Sequence, residues 1–493
     1  MLFDVTAILT LVALGPAAEA ITVPQNVVVA ASTPFIGPTP DLGPSPDLGP
    51  TPPELAPQPG LGPDLQVTTL SGIQLLEQLV YLTPSQIEEF VDARPDAIRE
   101  LLAHPPVARD VTMWWGSLTP AVRSGLLDAS PELVGNLDGV PFEVRDAANR
   151  EFLDVTMSDL RAVIASDVGR TMIDHAEQQL NMLEAIADSL NTKGADSTLA
   201  TDAYSAAAPA AADADRTLLS LDVSGQGRAA IVLGDLRTAD YVTYLVPGMF
   251  FTIENQMGDW TNAAAELYSE QINWLQLFAA KDGAKSGATP TQLSAGQPAA
   301  APTSTVATIA WIGYHTPNLT NVGAIDNALE GRDSLASAIE GLQALRAGNE
   351  PYVTVVAHSY GSTAALMALT ENSFEVDALA MVGSPGSDAQ TVDALHVRNG
   401  NVWVGEAAWD PVPNSSFFGS DPGAPAYGAK TLGVDGGTDV ITNRPLAGSV
   451  GHNEYFGAGS QSMRNLALIG IDRGEFVSDG SAADASKTLE LLQ

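Results

Sequence analysis

The stretch VTVVAHSYGSTAALMAL, residues 353–369, begins as a buried strand and ends as a helix. The β-branched run 353–356 is typical of a strand buried on both faces of a parallel sheet, and the small and apolar residues after Gly361 favour a helix. The joint between them is therefore a tight turn with Ser359 at its centre. Such a turn holds its central side chain out at the carboxyl edge of a sheet, which makes Ser359 a candidate nucleophile.

Strand and helix patterns alternate on both sides of this turn. The predicted strands are 217–222, 228–233, 241–246, 305–312, 352–357, 378–382 and 402–405. The predicted helices between them are 253–280, 332–347 and 362–370, and residues 282–304 predict a surface loop. Repeated strand-helix-strand units indicate an α/β fold with a mostly parallel sheet flanked by helices. A candidate nucleophile after the fifth strand is the arrangement of the α/β-hydrolase fold.

The residues before this domain predict an all-helical module. Residues 67–191 have helical periodicity, with a Thr83 cap followed by Pro84 at the first helical position. Within it, the polar turn VGNLDGVP at 134–141 is interpreted as a structural clasp onto the following domain. A linker at 192–215 separates the module from the predicted catalytic domain at 216–475, and a tail follows at 476–493.

The amino-terminal residues predict two further segments. Residues 1–20 contain an apolar run and the small-residue pattern Ala18-Glu19-Ala20, which indicate a signal peptide and a secreted or envelope-associated protein. The absence of a basic residue before the run favours the alternative, a short apolar element of a cytoplasmic protein. Residues 21–66 include a repeating proline-rich stretch that predicts a semi-rigid linker. No run predicts a transmembrane segment.

The overall composition excludes several classes of function. The 493 residues carry 22 basic and 59 acidic side chains, and the net charge of −37 opposes binding to nucleic acid. The chain has no cysteine, which excludes a thiol nucleophile and thiolate metal sites. No cluster of ligating residues has metal spacing, so neither a metal nor an organic cofactor is predicted.

A serine nucleophile needs a base and an acid, which follow it in the order Ser, Asp or Glu, His in this fold. Only His396 and His452 come after Ser359. His452 lies in a glycine-flanked loop and is the predicted base, whereas His396 leads into a buried strand and is interpreted as a structural or surface residue. Asp410 follows the seventh predicted strand and is the predicted acid. Its competitors Asp421, Asp435 and Asp439 lie in glycine-rich loops, where solvation alone explains acidic residues.

The negative charge that develops during acyl transfer also needs backbone donors. The N–H of Tyr360, directly after the nucleophile, is one predicted donor. The other is Gly248 or Met249, in the turn that ends the third strand. The alternative is that Pro247-Gly248 is only a turn.

Several motifs together resemble a bacterial α/β-hydrolase family long classed as a domain of unknown function. They are, in order, GRAAIVLGDLRTADYVTYLVPGM, IAWIGYHTP, VTVVAHSYGS, MVGSPG, AAWDPVP and GHNEYF, preceded by the helical segment that contains VGNLDGVP. The resemblance covers about residues 111–456. It implies Ser359 as nucleophile, Asp410 as acid and His452 as base, and it implies no particular substrate.

The predicted function is that of a serine hydrolase of carboxylic esters, similar to an esterase or lipase, with a small-molecule or lipid-like ester as substrate. One alternative is an acyltransferase with the same triad. The other is a non-catalytic binding or surface protein that keeps the fold. The three retained triad residues count against the second alternative.

Overall fold

The computed structural model describes residues 70–191, 214–285, 304–413 and 415–491. The signal peptide and linker predicted for residues 1–66 lie outside these ranges, as do most of the 192–215 linker and most of the 282–304 loop. Within the described ranges, residues from Leu70 onward pack as one compact unit.

The helical module is present as eight helices. They are α1 Gly72–Leu79, α2 Pro84–Ala93, α3 Pro95–Ala103, α4 Ala108–Ser117, α5 Pro120–Ala129, α6 Pro131–Asn136, α7 Phe142–Ile164 and α8 Arg170–Asn191. Four of them begin with proline at the first position, where the missing N–H costs no helical hydrogen bond. Short turns therefore separate most of these helices.

The second part of the chain alternates strands and helices. Its elements are β1 Arg216–Asp222, β2 Arg228–Gly234, β3 Tyr241–Val246, α9 Ile253–Lys285, β4 Val306–Ile312, α10 Asp326–Leu345, β5 Tyr352–His358, α11 Tyr360–Glu371, β6 Ala378–Val382, β7 Val402–Gly405, β8 Lys430–Thr431, β9 Gly437–Thr438, β10 Pro445–Leu446, α12 Gln461–Gly470 and α13 Ala482–Leu491. Helix α9 continues past its predicted end at 280, and α13 occupies the predicted tail.

Eight strands form one mostly parallel sheet in the order β1-β2-β4-β3-β5-β6-β7-β8. Only the β1–β2 and β2–β4 pairs are antiparallel. Helices α7, α8, α9 and α12 bury apolar side chains on one face, and α10 and α11 cover the other. Central strands buried on both faces explain the near-continuous apolar runs in the sequence. The predicted α/β-hydrolase fold with a helical module is confirmed.

Side chains of the helical module cover the free edge of strand β1. The Asn136 amide makes two bonds to Leu221, donating to its carbonyl (2.8 Å) and accepting from its N–H (2.9 Å). Asp146 accepts from the Leu218 N–H (2.7 Å), and Asn149 donates to the Leu218 carbonyl (3.0 Å). These side chains take the place of a neighbouring strand, so the edge is closed to pairing with another chain. We call this set the edge cover.

The clasp predicted for residues 134–141 is confirmed by contacts on both sides. Asn136 belongs to the edge cover, and the neighbouring Asp138 carboxylate accepts from Ser337 Oγ on α10 (2.7 Å) and from Arg145 Nη1 (2.6 Å). The segment therefore ties the helical module to the sheet and to α10.

Replacing Asn136 by alanine is expected to lower the free energy of unfolding by about 2–3 kcal/mol, because two buried backbone groups of Leu221 lose their partners. Urea denaturation measures the change. Asn191→Ala is the matched control, since Asn191 is exposed and makes one local bond to Ala187, and its effect should stay within about 0.5 kcal/mol. Equal effects of both substitutions would contradict the edge cover.

Candidate active site

Ser359 lies in the turn between β5 and α11, at the carboxyl edge of the sheet. Its backbone has φ 53° and ψ −131°, a region that a residue with a side chain adopts at a cost of about 1–3 kcal/mol. Gly361 permits this turn because a Cβ there would lie 2.2 Å from the Pro247 carbonyl oxygen. The surrounding packing therefore maintains strain at the residue that carries the hydroxyl, as in a nucleophile elbow.

Three side chains that are far apart in the sequence form one hydrogen-bonded chain. The Nδ1–H of His452 donates to both carboxylate oxygens of Asp410 (2.9 and 2.8 Å), and its Nε2 accepts from Ser359 Oγ (2.7 Å). Each of the three residues is less than a tenth exposed. Because a carboxylate accepts from Nδ1, the Nε2 lone pair faces the serine hydroxyl and can take its proton.

The ionised form of Asp410 is stabilised by its partners. Burial alone would raise the pKa of this carboxyl, but hydrogen bonds from His452, from the Tyr455 hydroxyl (2.6 Å) and from the Val412 N–H (2.9 Å) hold it below its usual value. Tyr455 is fixed in turn by the Ala407 N–H, which donates to its oxygen (2.9 Å). Sequence reasoning missed Tyr455, although it lies in the same GHNEYF motif as His452.

The competing acids have other environments. Asp421 accepts from the nearby Gly423 N–H (3.0 Å), and Asp435 is exposed. The interpretation of Asp439 as a solvated loop residue is wrong. Asp439 is buried and pairs with Arg464 (2.9 Å), with both side chains 2% exposed. It links its loop to helix α12 and contacts no member of the Ser359 chain.

The predicted backbone donors lie beside Ser359. Strands β3 and β5 pair in parallel with Val246 opposite Ala357, which brings the next turn against the elbow. A Cβ on Gly248 would lie 2.6 Å from Ser359 Cβ, so only glycine fits. Within the described ranges, the N–H groups of Gly248, Met249 and Tyr360 donate no hydrogen bond. These three N–H groups therefore stay the candidates for the predicted pair of donors.

His358 is a second residue that sequence reasoning missed. Its Nε2–H donates to the backbone carbonyl of His452 (2.8 Å), and the two rings lie 4.7 Å apart. Its Nδ1 is buried and has no partner in the described part of the chain. Burial, with His452 beside it, lowers the pKa of His358 to about 3. A neutral His358 therefore anchors the loop that carries His452.

The low pKa of His358 predicts a pH-dependent stability. The unfolded chain takes up this proton below pH 6.5, whereas the folded protein does so only near pH 3, so stability falls as the pH decreases through this window. The contribution is about 1.4 kcal/mol per pH unit. His358→Gln, which can still donate to the carbonyl, should show a correspondingly shallower loss of stability in urea titrations.

His104→Gln is the matched control for this titration, since His104 lies exposed at the end of α3. Because this substitution leaves the buried His358 in place, the pH-dependent loss of stability that His358 causes should persist in the variant. Identical slopes for wild type and His358→Gln would show that His358 is not buried in its neutral form.

The other two histidines of the strand-helix region lie apart from the triad. His396 contacts the Asn372 carbonyl beyond the far end of α11. His315 pairs with Glu330 (2.8 Å). Across the described ranges, no group of three or more His, Cys, Asp or Glu residues is arranged to hold a metal ion. In the same ranges, no helix has the length and apolar character needed to cross a membrane.

Residues 275–420 match the model of a family described as alpha/beta hydrolase. An uncharacterized protein of Mycobacterium tuberculosis is 28% identical over 410 residues, which cover 76% of this chain and 57% of the relative. An uncharacterized protein of Mycobacterium bovis is 26% identical over 248 residues, which cover 48% of this chain and 81% of that relative. These matches confirm the resemblance to an α/β-hydrolase family of unknown function.

The chain spans 57% of the length of the first of these relatives. Among solved structures, the match to an arylesterase covers 67% of this chain and 98% of the arylesterase chain, with 12% identity and a TM-score of 0.30. A thermophilic carboxylesterase from a metagenomic library covers 56% and 93%, with 14% identity and a TM-score of 0.28.

Proposed function

We propose that the protein is a serine hydrolase of carboxylic esters that acts through an acyl-enzyme. The observation that carries the proposal is the continuous chain from Ser359 Oγ through His452 to Asp410, with distances of 2.7 and 2.8 Å. This combination of nucleophile, base and acid supports acyl transfer on many unrelated folds. The strained backbone of Ser359 and the unpaired N–H groups beside it support the same chemistry.

The proposed reaction has two halves. Ser359 Oγ attacks the ester carbonyl while its proton moves to His452 Nε2, and the oxyanion is stabilised by the N–H of Tyr360 and that of Gly248 or Met249. His452 then gives the proton to the departing alcohol, which leaves an acyl group on Ser359. Water then attacks this acyl group while His452 takes a proton from it, and His452 returns that proton to Ser359 Oγ as the carboxylic acid leaves.

Labelling with a fluorophosphonate tests the proposal, because such reagents react with activated serine hydroxyls. We expect one phosphonate per chain, found on the peptide that contains Ser359, together with hydrolysis of p-nitrophenyl acetate and butanoate. The absence of labelling, or labelling only at another residue, would reject the assignment. Adding glycerol during turnover separates hydrolysis from acyl transfer, since a transferase would form the glycerol ester in preference to the free acid.

A further inference from the structure

Exposed apolar side chains gather on the loops around Ser359. The described part of the chain exposes twelve large hydrophobic side chains, and five of them lie on loops that follow strands β4 and β7 or carry His452. They are Leu319, Ile325, Trp409, Phe417 and Val450, and we call them the apolar rim. Exposed apolar groups that concentrate around one site indicate a binding surface, whereas scattered ones need no explanation.

Two rim residues, Trp409 and Val450, lie next to the acid and near the base along the chain. Trp409, which is 79% exposed, immediately precedes Asp410. The backbone N–H of Trp409 donates to the backbone carbonyl of Val450 (3.2 Å), which lies two residues before His452. This bond brings an indole and a valine side chain onto adjacent loops beside the triad.

Two further rim residues, Phe417 and Ile325, connect to Tyr360, the residue after the nucleophile. Phe417 packs edge-on against Phe418 (4.8 Å between ring centroids), which packs against the Tyr360 ring (5.4 Å). The Tyr360 hydroxyl donates to the carbonyl of Ala324 (2.8 Å), directly before Ile325. The rim therefore extends from the acid loop to the loop after β4, with Ser359 between them.

The loops at this edge carry no lysine or arginine, and their one histidine besides His452, His315, is paired with Glu330 (2.8 Å). These loops are residues 247–252, 313–325, 383–391, 406–428 and 447–460. They carry five acidic residues, which are Asp388, Glu406, Asp410, Asp421 and Glu454. The chain as a whole has a net charge of −37. An anionic group on the substrate would find no counter-ion here and would be repelled. The charge pattern therefore favours an uncharged ligand.

We infer that the apolar rim binds the acyl chain of a single, uncharged ester molecule of medium or long chain length. The inference rests on the proposed function, since the rim lies on loops at the edge of the sheet that carries the proposed nucleophile. When an extended acyl chain packs against the five exposed hydrophobic side chains, apolar surface on both is removed from water. Esters with anionic leaving groups, such as acyl-coenzyme A thioesters, are expected to be poor substrates.

A chain-length series of p-nitrophenyl esters, measured below the concentration at which they aggregate, tests the inference. We expect kcat/KM for the decanoate to exceed that for the butanoate by at least about tenfold, because each additional methylene is removed from water. Trp409→Ser should reduce this ratio by about fivefold or more. Decanoyl-coenzyme A should react at least about 100-fold less efficiently than the neutral decanoate.

Tyr81→Ser is the matched control, since Tyr81 is also 79% exposed but lies after helix α1, outside the site loops. It should keep the wild-type ratio within about twofold. Three outcomes would each overturn the inference. They are equal kcat/KM for butanoate and decanoate, efficient use of decanoyl-coenzyme A, and a rate that appears only when the ester aggregates.

Binding to the Ser359→Ala variant separates this inference from the proposed function. Calorimetric titration with monodecanoylglycerol requires no turnover, and we expect binding that Trp409→Ser weakens by about fivefold or more and Tyr81→Ser leaves unchanged. If no ester is hydrolysed but this binding pattern is found, the proposed function fails and the rim assignment stands. If esters are hydrolysed but this binding pattern is not found, the rim assignment fails and the proposed function stands.

Discussion

The variant Ser359→Ala is expected to hydrolyse p-nitrophenyl butanoate about 10⁴- to 10⁶-fold more slowly than the wild-type protein at saturating substrate. Without the hydroxyl, His452 has no proton to take and no acyl-enzyme can form. The variant should remain folded by circular dichroism, because Ser359 Oγ bonds only to His452 in the described part of the chain. It should also lose all fluorophosphonate labelling.

Ser362→Ala is the matched control for the nucleophile. Ser362 is three residues further along and is also buried, and its hydroxyl contacts the Ser359 carbonyl (2.6 Å) and Ser384 Oγ (2.7 Å), not His452. Its alanine variant should still be labelled. Labelling that persists in Ser359→Ala, or that disappears only in Ser362→Ala, would move the nucleophile elsewhere.

The variant Asp410→Asn is expected to lose about 10⁴-fold in kcat, the cost of the corresponding change in a serine protease. The amide has the shape of the carboxylate but can present an N–H to His452 Nδ1. The imidazole would then carry its proton on Nε2, facing Ser359, and could not act as base. Measuring kcat at saturating butanoate ester, with circular dichroism as a folding control, tests this expectation.

Asp421→Asn and Asp435→Asn are suitable controls, and both should keep most of the activity because neither carboxylate contacts His452. Asp439→Asn is not a suitable control. Without the negative charge of Asp439, the buried charge of Arg464 would lose its partner, which typically costs about 3–5 kcal/mol of stability. Near-normal activity in Asp410→Asn combined with a severe loss in a folded Asp421 or Asp435 variant would transfer the acid role.

Periodicity predicted most of the sheet. All seven predicted strands are found within one residue of their expected bounds, because their apolar residues are buried in the sheet, almost without interruption in β4, β6 and β7. Strands β8, β9 and β10 are two residues long and give no such signal. Helix α10 begins at Asp326, six residues before its predicted start, because its polar first turns bury only small side chains such as Ala328.

Chain order predicted three side chains that meet in space, since the fold brings the ends of parallel strands to one edge. The supporting residues were less accessible to this reasoning. His358 contacts the backbone of His452, 94 residues away, and nothing in the composition of the elbow indicates that contact. Asp439 resembles any loop acid until Arg464 on α12 is seen to face it. Pairings of this kind depend on tertiary packing, which local sequence does not encode.

The edge cover has a consequence for biosynthesis. Asn136, Asp146 and Asn149 leave the ribosome well before strand β1, so the cover is already synthesised when the edge that it protects emerges. Amino-terminal segments fold while synthesis continues. A newly formed sheet with an open edge can then pair with a neighbouring chain on the same polysome, because its edge N–H and carbonyl groups lack partners. Here the order of the genetic message itself shortens the time during which that edge is exposed.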